Sequence, residues 1–162
     1  MRGEPPCEKT AVAPAFVCDE GRDDAAVAAR LAAEVAAQFG PREEAPFSIR
    51  ALGPDGGLLG GVNGAAHWRW LYVRNLWVDA GARGQGLGRR LLQEAENFAR
   101  ARGCAGVYLD TFDPGAAAFY ERCGFVRFGV LDDFPPGHRR TYLCKRLDAD
   151  RDGFRNREGS DA

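Results

Sequence analysis

A strand-like run, a glycine-rich loop and an amphipathic helix follow one another between Trp70 and Gly103, and this succession constrains the chain more than any other feature. The run Trp70–Val78 (WLYVRNLWV) is dense in aromatic and branched residues, which suit a pleated, half-buried surface. The loop Asp79–Gly88 carries glycines at alternate positions, Gly84, Gly86 and Gly88. From Leu87 onward, Leu87, Leu91, Ala95 and Phe98 recur at helical spacing and mark one inward face. Glycines remove Cβ atoms where a charged ligand group would meet the backbone. The helix then turns its unpaired N–H groups and positive dipole end toward that group. The segment reads as a seat for a phosphate or pyrophosphate, with a plain turn before a helix as the alternative.

Spacing separates three kinds of phosphate loop. A nucleotide-triphosphatase loop ends in Gly-Lys-Ser/Thr, but Gly88 is followed by Arg89-Arg90, which excludes it. A dinucleotide loop needs G-x-G-x-x-G, and Arg89 stands at the third position after Gly86. Only Asp110, closing a downstream strand where a ribose contact would fall, favours that type. The pattern R/Q-x-x-G-x-G/A is met at every fixed position from Arg83 to Gly88.

The rest of the chain reads as one mixed α/β unit. Ala15–Cys18 is a short candidate strand. A helix starts at Asp24, carries Val27, Leu31, Val35 and Phe39 on one stripe, and stops at Gly40-Pro41. Strands are predicted at Phe47–Leu52 and Leu58–Trp68 around a Gly53–Gly57 hairpin turn, then at Trp70–Val78 and Val107–Thr111. Asp113 and Pro114 open another helix and Gly124 closes it, with Ala116, Phe119, Tyr120 and Cys123 inward. Phe125–Leu131 and Thr141–Lys145 complete one central sheet with flanking helices. Residues 1–14 read as a flexible lead, 15–147 as the folded domain and 148–162 as a flexible polar tail.

Twenty-two basic against 23 acidic residues, a net charge of −1, argue against a nucleic-acid or acidic-membrane partner. No apolar run nears the roughly 18 residues of a membrane span, and the N-terminus lacks a signal-like core, so a cytoplasmic location is expected. Five scattered cysteines without a Cys-x-x-Cys pair suggest reduced thiols and no metal site.

With Leu76-Trp77-Val78 leading into the loop, and Ala118–Phe125 (AFYERCGF) similar to an "FYExxGF" helix end, the chain resembles the GNAT superfamily of N-acetyltransferases over nearly all of Ala15–Leu147. The resemblance implies a largely antiparallel sheet of about six to seven strands, splayed between the fourth and fifth (Trp70–Val78 and Val107–Thr111). It implies acetyl coenzyme A as cosubstrate in that opening. Its pantetheine would run along Leu76, Trp77 and Val78, and its pyrophosphate would meet Arg83, Gly84, Gln85, Gly86, Leu87, Gly88 and Arg89. A primary amine would attack the thioester directly, and Tyr120 would protonate the departing thiolate.

The implied acceptor is a small molecule, antibiotic, amino acid or peptide, and a homodimer is compatible. Family members often carry a strand carboxylate as base where this chain reads Tyr72-Val73-Arg74-Asn75, which makes Asp110 the candidate replacement. Asp113 reads as a helix cap. Trp70, Tyr72, Arg74 and His138 are candidate acceptor contacts, His138 lying in Asp132–His138, a segment similar to small bacterial members of the family. Alternation places Trp68, Trp70 and Tyr72 on one sheet face and Trp77 on the other. Competing readings are a non-catalytic acyl-coenzyme A sensor and an NAD(P)-binding enzyme.

Overall fold

The computed structural model describes residues 16–18, 20–21 and 24–148. The chain divides into two compact units, Met1–Pro41 and Arg42–Ala162. In the first, helix α1 (Ala25–Phe39) starts where Asp24 accepts a hydrogen bond from the Ala26 N–H at 2.8 Å and stops at Gly40, whose φ of 82° suits glycine. None of its residues is buried. The strand predicted at Ala15–Cys18 is not observed. Phe16, Val17 and Cys18 have no regular structure and no pairing partner among the described residues, and Ala15 lies outside them. A short apolar run becomes a strand only when another edge takes up its N–H and C=O groups. The lead 1–14 and the tail beyond Asp148 also lie outside the described residues.

The described residues of the second unit form a six-stranded sheet with two α-helices. Strands β1 (Ala45–Leu52), β2 (Leu58–His67), β3 (Trp70–Val78), β4 (Gly106–Thr111), β5 (Val126–Asp132) and β6 (Arg139–Arg146) lie in the order β1-β2-β3-β4-β6-β5. All neighbours are antiparallel except β3 and β4. That parallel pair is short: Trp70↔Gly106, Leu71↔Val107 and Tyr72↔Tyr108. Beyond Tyr72 the two strands part, and the sheet is splayed there, as the resemblance implies.

Helix α2 (Leu87–Ala101) packs on β1, β2, β3 and β4, and α3 (Pro114–Arg122) on β4 and β6. The core joins Leu71, Val73, Val107, Leu109 and Leu143 of the sheet to Leu91, Leu92, Ala95 and Ala99 of α2 and Tyr120 of α3. The inward face of α2 thus extends past the predicted stripe to Leu92, Glu96 and Ala99, while Leu87 and Phe98 are half-buried. Buried Glu96 is held by Lys145 Nζ at 2.7 and 2.9 Å and by Arg100 at 3.3 Å, and Lys145 also donates to the Cys123 carbonyl at 3.0 Å. One ammonium thereby ties α2, β6 and the end of α3 together.

Two backbone irregularities set the faces of β3. The β2–β3 connection is a tight turn through Trp68 and Arg69, with φ of 42° and 65°, so Trp68 leaves the strand face it was expected to share with Trp70. Pairing then passes from Gly64↔Val73 to Asn63↔Asn75, leaving Arg74 unmatched as a bulge. The extra residue shifts the alternation by one. Leu76 and Val78 now join the core. Trp77 therefore points to the same face as Trp70 and Tyr72, correcting the alternation expected from sequence.

Candidate active site

Where β3 leaves β4, a groove of about 630 Å³ opens between the end of β3, the glycine loop and α3. Leu76, Trp77 and Val78 form one wall and Ala116, Phe119, Tyr120 and Asp113 the other, with Arg83, Gly84, Gly86, Gly88 and Arg89 across the end. No described strand pairs with Val73–Val78 on the β4 side, so that edge keeps backbone groups for a ligand.

The loop is more ordered than its composition suggests. Asp79 accepts from the Gly81 N–H at 2.9 Å and starts a single 3-10 turn, Ala80–Ala82. Arg83 Nε donates to the Val78 carbonyl at 3.0 Å, fastening the loop to β3. Gly84 and Gly86 take φ of 77° and 80°, conformations that strain side-chain-bearing residues, and no heavy atom lies within 4 Å of a Cβ at either. Gly86 is the N-cap of α2, and the first helical bond there is Arg90 N–H to Gly86 O at 3.1 Å.

The N–H groups of Leu87, Gly88 and Arg89 precede that bond, receive no side-chain cap and have no acidic residue in the first turn beside them. The contrast with the rest of the chain is informative. Asp24, Asp79 and Asp113 each cap their own helix or turn, the last accepting from Gly115 N–H at 2.7 Å. The start of α2 alone among them lacks an internal acceptor, as an anion seat requires. Arg89 Nη2 donates to the Arg122 carbonyl at 3.3 Å, placing a cation between α2 and the end of α3.

Tyr120 is 8% exposed, packed between Phe119 and Phe125 at ring distances of 5.2 and 5.9 Å, and lines the groove. Burial, with smaller contributions from Cys123 and Asp110, pushes its hydroxyl up to about 12, so it is a neutral phenol at ordinary pH. On the sheet face turned from α2, Tyr72 stacks on Tyr108 at 4.9 Å, and Trp70 meets Tyr108 edge-on at 6.3 Å. The Tyr72 hydroxyl donates to Asp110 Oδ1 at 2.9 Å, and burial together with this carboxylate raises its pKa. Arg140 Nε donates to Asp110 Oδ2 at 2.7 Å. Both Asp110 oxygens are therefore engaged within the protein.

A family model described as "Acetyltransferase (GNAT) family" matches residues 17–125. The chain belongs to the GNAT family of acetyltransferases. Among its relatives is blasticidin-S acetyltransferase of Streptomyces morookaense, 45% identical over 102 residues that cover 62% of this chain and 75% of that protein. A solved protein assigned as an acetyltransferase from Agrobacterium tumefaciens is 38% identical with a TM-score of 0.72, covering 83% of this chain and all of the other. Another, assigned as a streptothricin acetyltransferase from Bacillus anthracis str. Ames, was solved with acetyl coenzyme A bound. It is 25% identical with a TM-score of 0.59, and the match covers 64% of each chain.

In this GNAT chain the predicted residues fall into two groups and some outliers. Leu76, Trp77, Val78, Arg83, Gly84, Gly86, Gly88, Arg89 and Tyr120 line the groove. Leu87 packs on the core instead, and the Gln85 side chain turns back to the Gly81 carbonyl at 3.3 Å. Trp70, Tyr72 and Asp110 share the far sheet face, where Arg140 joins them although the sequence reading overlooked it. Arg74 sits exposed on the bulge. His138 is exposed in the loop before β6 and does not line the groove. His67, at the end of β2, has a buried Nδ1 without a hydrogen-bond partner among the described residues, and burial lowers its pKa. Among the described residues no three His, Cys, Asp or Glu side chains converge on a metal-sized site, and no helix is long and apolar enough to cross a membrane.

Proposed function

We propose that the groove receives acetyl coenzyme A and that this chain transfers the acetyl group to a primary amine of a small molecule. The observation that carries the reading is the uncapped start of α2. Its free N–H groups, the left-handed Gly84 and Gly86, and the unpaired β3 edge all border one groove that contains a neutral buried tyrosine. Backbone N–H groups from Gly84 to Arg89 take the pyrophosphate, helped by the helix dipole, whereas the Arg83 N–H, expected among them from sequence, is bonded to the Ala80 carbonyl at 3.4 Å. The free edge at Leu76–Val78 pairs with the pantetheine amides in the manner of an added strand. An N–H of Leu76 or Val78 meets the carbonyl oxygen as negative charge gathers on it.

The attacking amine must be neutral. Removing the proton of an alkylammonium with a pKa near 10 costs about 4 kcal/mol at pH 7. Asp110 is a poor candidate to take that proton directly, because both its oxygens already accept hydrogen bonds. We assign it instead to holding Tyr72 and Arg140 in place, with water carrying the proton away. Tyr120 offers its hydroxyl to the departing sulfur. The names of relatives, including a blasticidin-S acetyltransferase, favour a small amine-bearing acceptor over a protein.

The occupied Asp110 also favours one other reading, a sensor that binds acyl coenzyme A without turning it over. Calorimetric titration with acetyl coenzyme A and with NAD, followed by a free-thiol assay with a panel of amines, tests both. A transferase binds the coenzyme and releases thiol with at least one amine. A sensor binds without release, and a chain that binds only NAD overturns the proposal.

A further inference from the structure

On the sheet face turned from α2, beyond the last β3–β4 pair at Tyr72↔Tyr108, one arginine is held in a fixed pose with most of its donors unspent. Arg140 Nε is committed to Asp110 at 2.7 Å. The guanidinium carbon lies 5.1 Å from the Phe112 ring centre, 5.3 Å from Phe134 and 5.4 Å from Tyr142, so three rings flank the planar cation. The side chain is 25% exposed, while its partner Asp110 is 10% exposed. No hydrogen bond engages the terminal Nη groups among the described residues. They are not sealed from water either, since among the described residues the one buried side-chain polar atom without a partner is His67 Nδ1.

We infer that Arg140 is an anion seat in the acceptor site, and that the acceptor of this chain is an amine that also carries a carboxylate. The inference rests on the acetyl-transfer reading above and adds a substrate class to it. A guanidinium presents donors in a planar fork that matches a carboxylate, and pre-organisation by Asp110 and three rings leaves little side-chain freedom to lose on binding. The acidic groups nearby each have a partner within the protein. Asp110 is doubly bonded, Asp132 is paired with Arg139 at 2.7 Å, and Asp133 accepts from the Gly137 N–H at 2.7 Å.

Position supports the same conclusion. Asp110 lies two residues past Tyr108, where the strands part, and it is near enough to Tyr120 for its charge to act on that hydroxyl. An acceptor anchored on Arg140 from the far face has its amine directed toward the opening that the groove enters from the other side. Phe134, from the loop before β6, closes over the same cation and meets Phe112 edge-on at 5.8 Å.

The test measures thiol release at saturating acetyl coenzyme A with the common α-amino acids, their carboxamides and phosphoethanolamine, each rate referred to the unprotonated amine. The expected result is a kcat/KM at least about tenfold higher for the best amino acid than for its amide, as a charge-assisted pair predicts. Arg140→Lys should raise KM for the carboxylate more than it lowers kcat. Because Arg140→Met strands Asp110, the double variant Arg140→Met/Asp110→Asn is measured beside it, with melting temperatures for both. Loss of the carboxylate preference in both variants supports the assignment. Equal rates for acids and amides, a preference for phosphoethanolamine, or a preference that survives in both variants overturns it while leaving the transferase reading intact. Absence of thiol release with every amine of this panel overturns this inference, and the transferase reading falls with it only if the wider amine panel is silent as well.

Discussion

Replacing Tyr120 by Phe removes one oxygen from a side chain that is 8% exposed and leaves the ring in place between Phe119 and Phe125. The hydroxyl, pushed up to about 12, is a far weaker acid than a thiol with a pKa of about 8.5. Complete transfer of its proton to a departing thiolate runs uphill by about 3.5 units, or about 5 kcal/mol. Tyr120 is therefore expected to stabilise the sulfur by donating a hydrogen bond, with the proton supplied by the ammonium formed on attack. A hydrogen bond to a charged partner contributes about 1.5–3 kcal/mol, so Tyr120→Phe should lower kcat by about ten- to a hundredfold and change coenzyme affinity little. That is smaller than the loss expected if a full general acid were removed.

The pH behaviour follows from the same shift. The wild-type rate should show no alkaline decline from Tyr120 below about pH 11. Stability has a definite sign: above pH 10 the unfolded phenol ionises while the folded one keeps its proton, so stability falls between pH 10 and about pH 12 by about 2–3 kcal/mol. The Phe variant should lack that portion of the alkaline loss. Stopped-flow thiol detection and unfolding at stepped pH measure both quantities. A Tyr120→Phe enzyme that turns over at the parental rate refutes the role, and an alkaline limb near pH 10 refutes the buried, neutral phenol.

Gly86→Val places a branched residue at φ 80° on the cap of α2 and fills space that a pyrophosphate would need, so coenzyme affinity should collapse while the sheet stays folded; parental affinity by calorimetry would count against the seat. Gly64→Ala brings a Cβ into the Tyr72 carbonyl oxygen, with the Phe47 ring 3.0 Å away, and backbone cannot retreat as a side chain can. Chemical unfolding should show a loss of about 3 kcal/mol or more, and a loss under 1 kcal/mol would mean the bulge relaxes freely. Glu96→Ala leaves the Lys145 ammonium with only the Cys123 carbonyl and should cost about 3 kcal/mol, the lower end for a broken buried pair because Lys145 is 26% exposed. A near-neutral effect in thermal melts would show that the ammonium reaches water.

The glycine loop was legible because its chemistry is local: alternate glycines before an apolar helical stripe dictate both the turn and the open N-terminus. The starts of α1 and α3 were legible for the same reason, since Asp24 and Asp113 cap through their own side chains. What escaped depends on neighbours distant in sequence. Trp68-Arg69 makes a left-handed turn without glycine, asparagine or aspartate, so no local signal marks it, and the ends of β2 and β3 impose it. The Arg74 bulge exists because Gly64 lets the Tyr72 carbonyl approach across the ladder, and a single strand read by alternation cannot show that. Arg140 passed as one arginine among many, and only the fold brings it to Asp110, thirty residues away.

The brevity of the β3–β4 seam also has a mechanical side. Three backbone pairs join those strands, against six or more at every other seam. The sheet is in effect two three-stranded ribbons on a narrow spine, with the Tyr72–Asp110 bond as a clasp beyond its last rung. The β3 end and the start of α2 border the groove from one ribbon, and α3 borders it from the other. Opening the ribbons by a small angle would therefore widen the groove and loosen the far-face clasp in one motion. Whatever fills the groove on one side and whatever the far face grips on the other would then be felt through the same compliant joint.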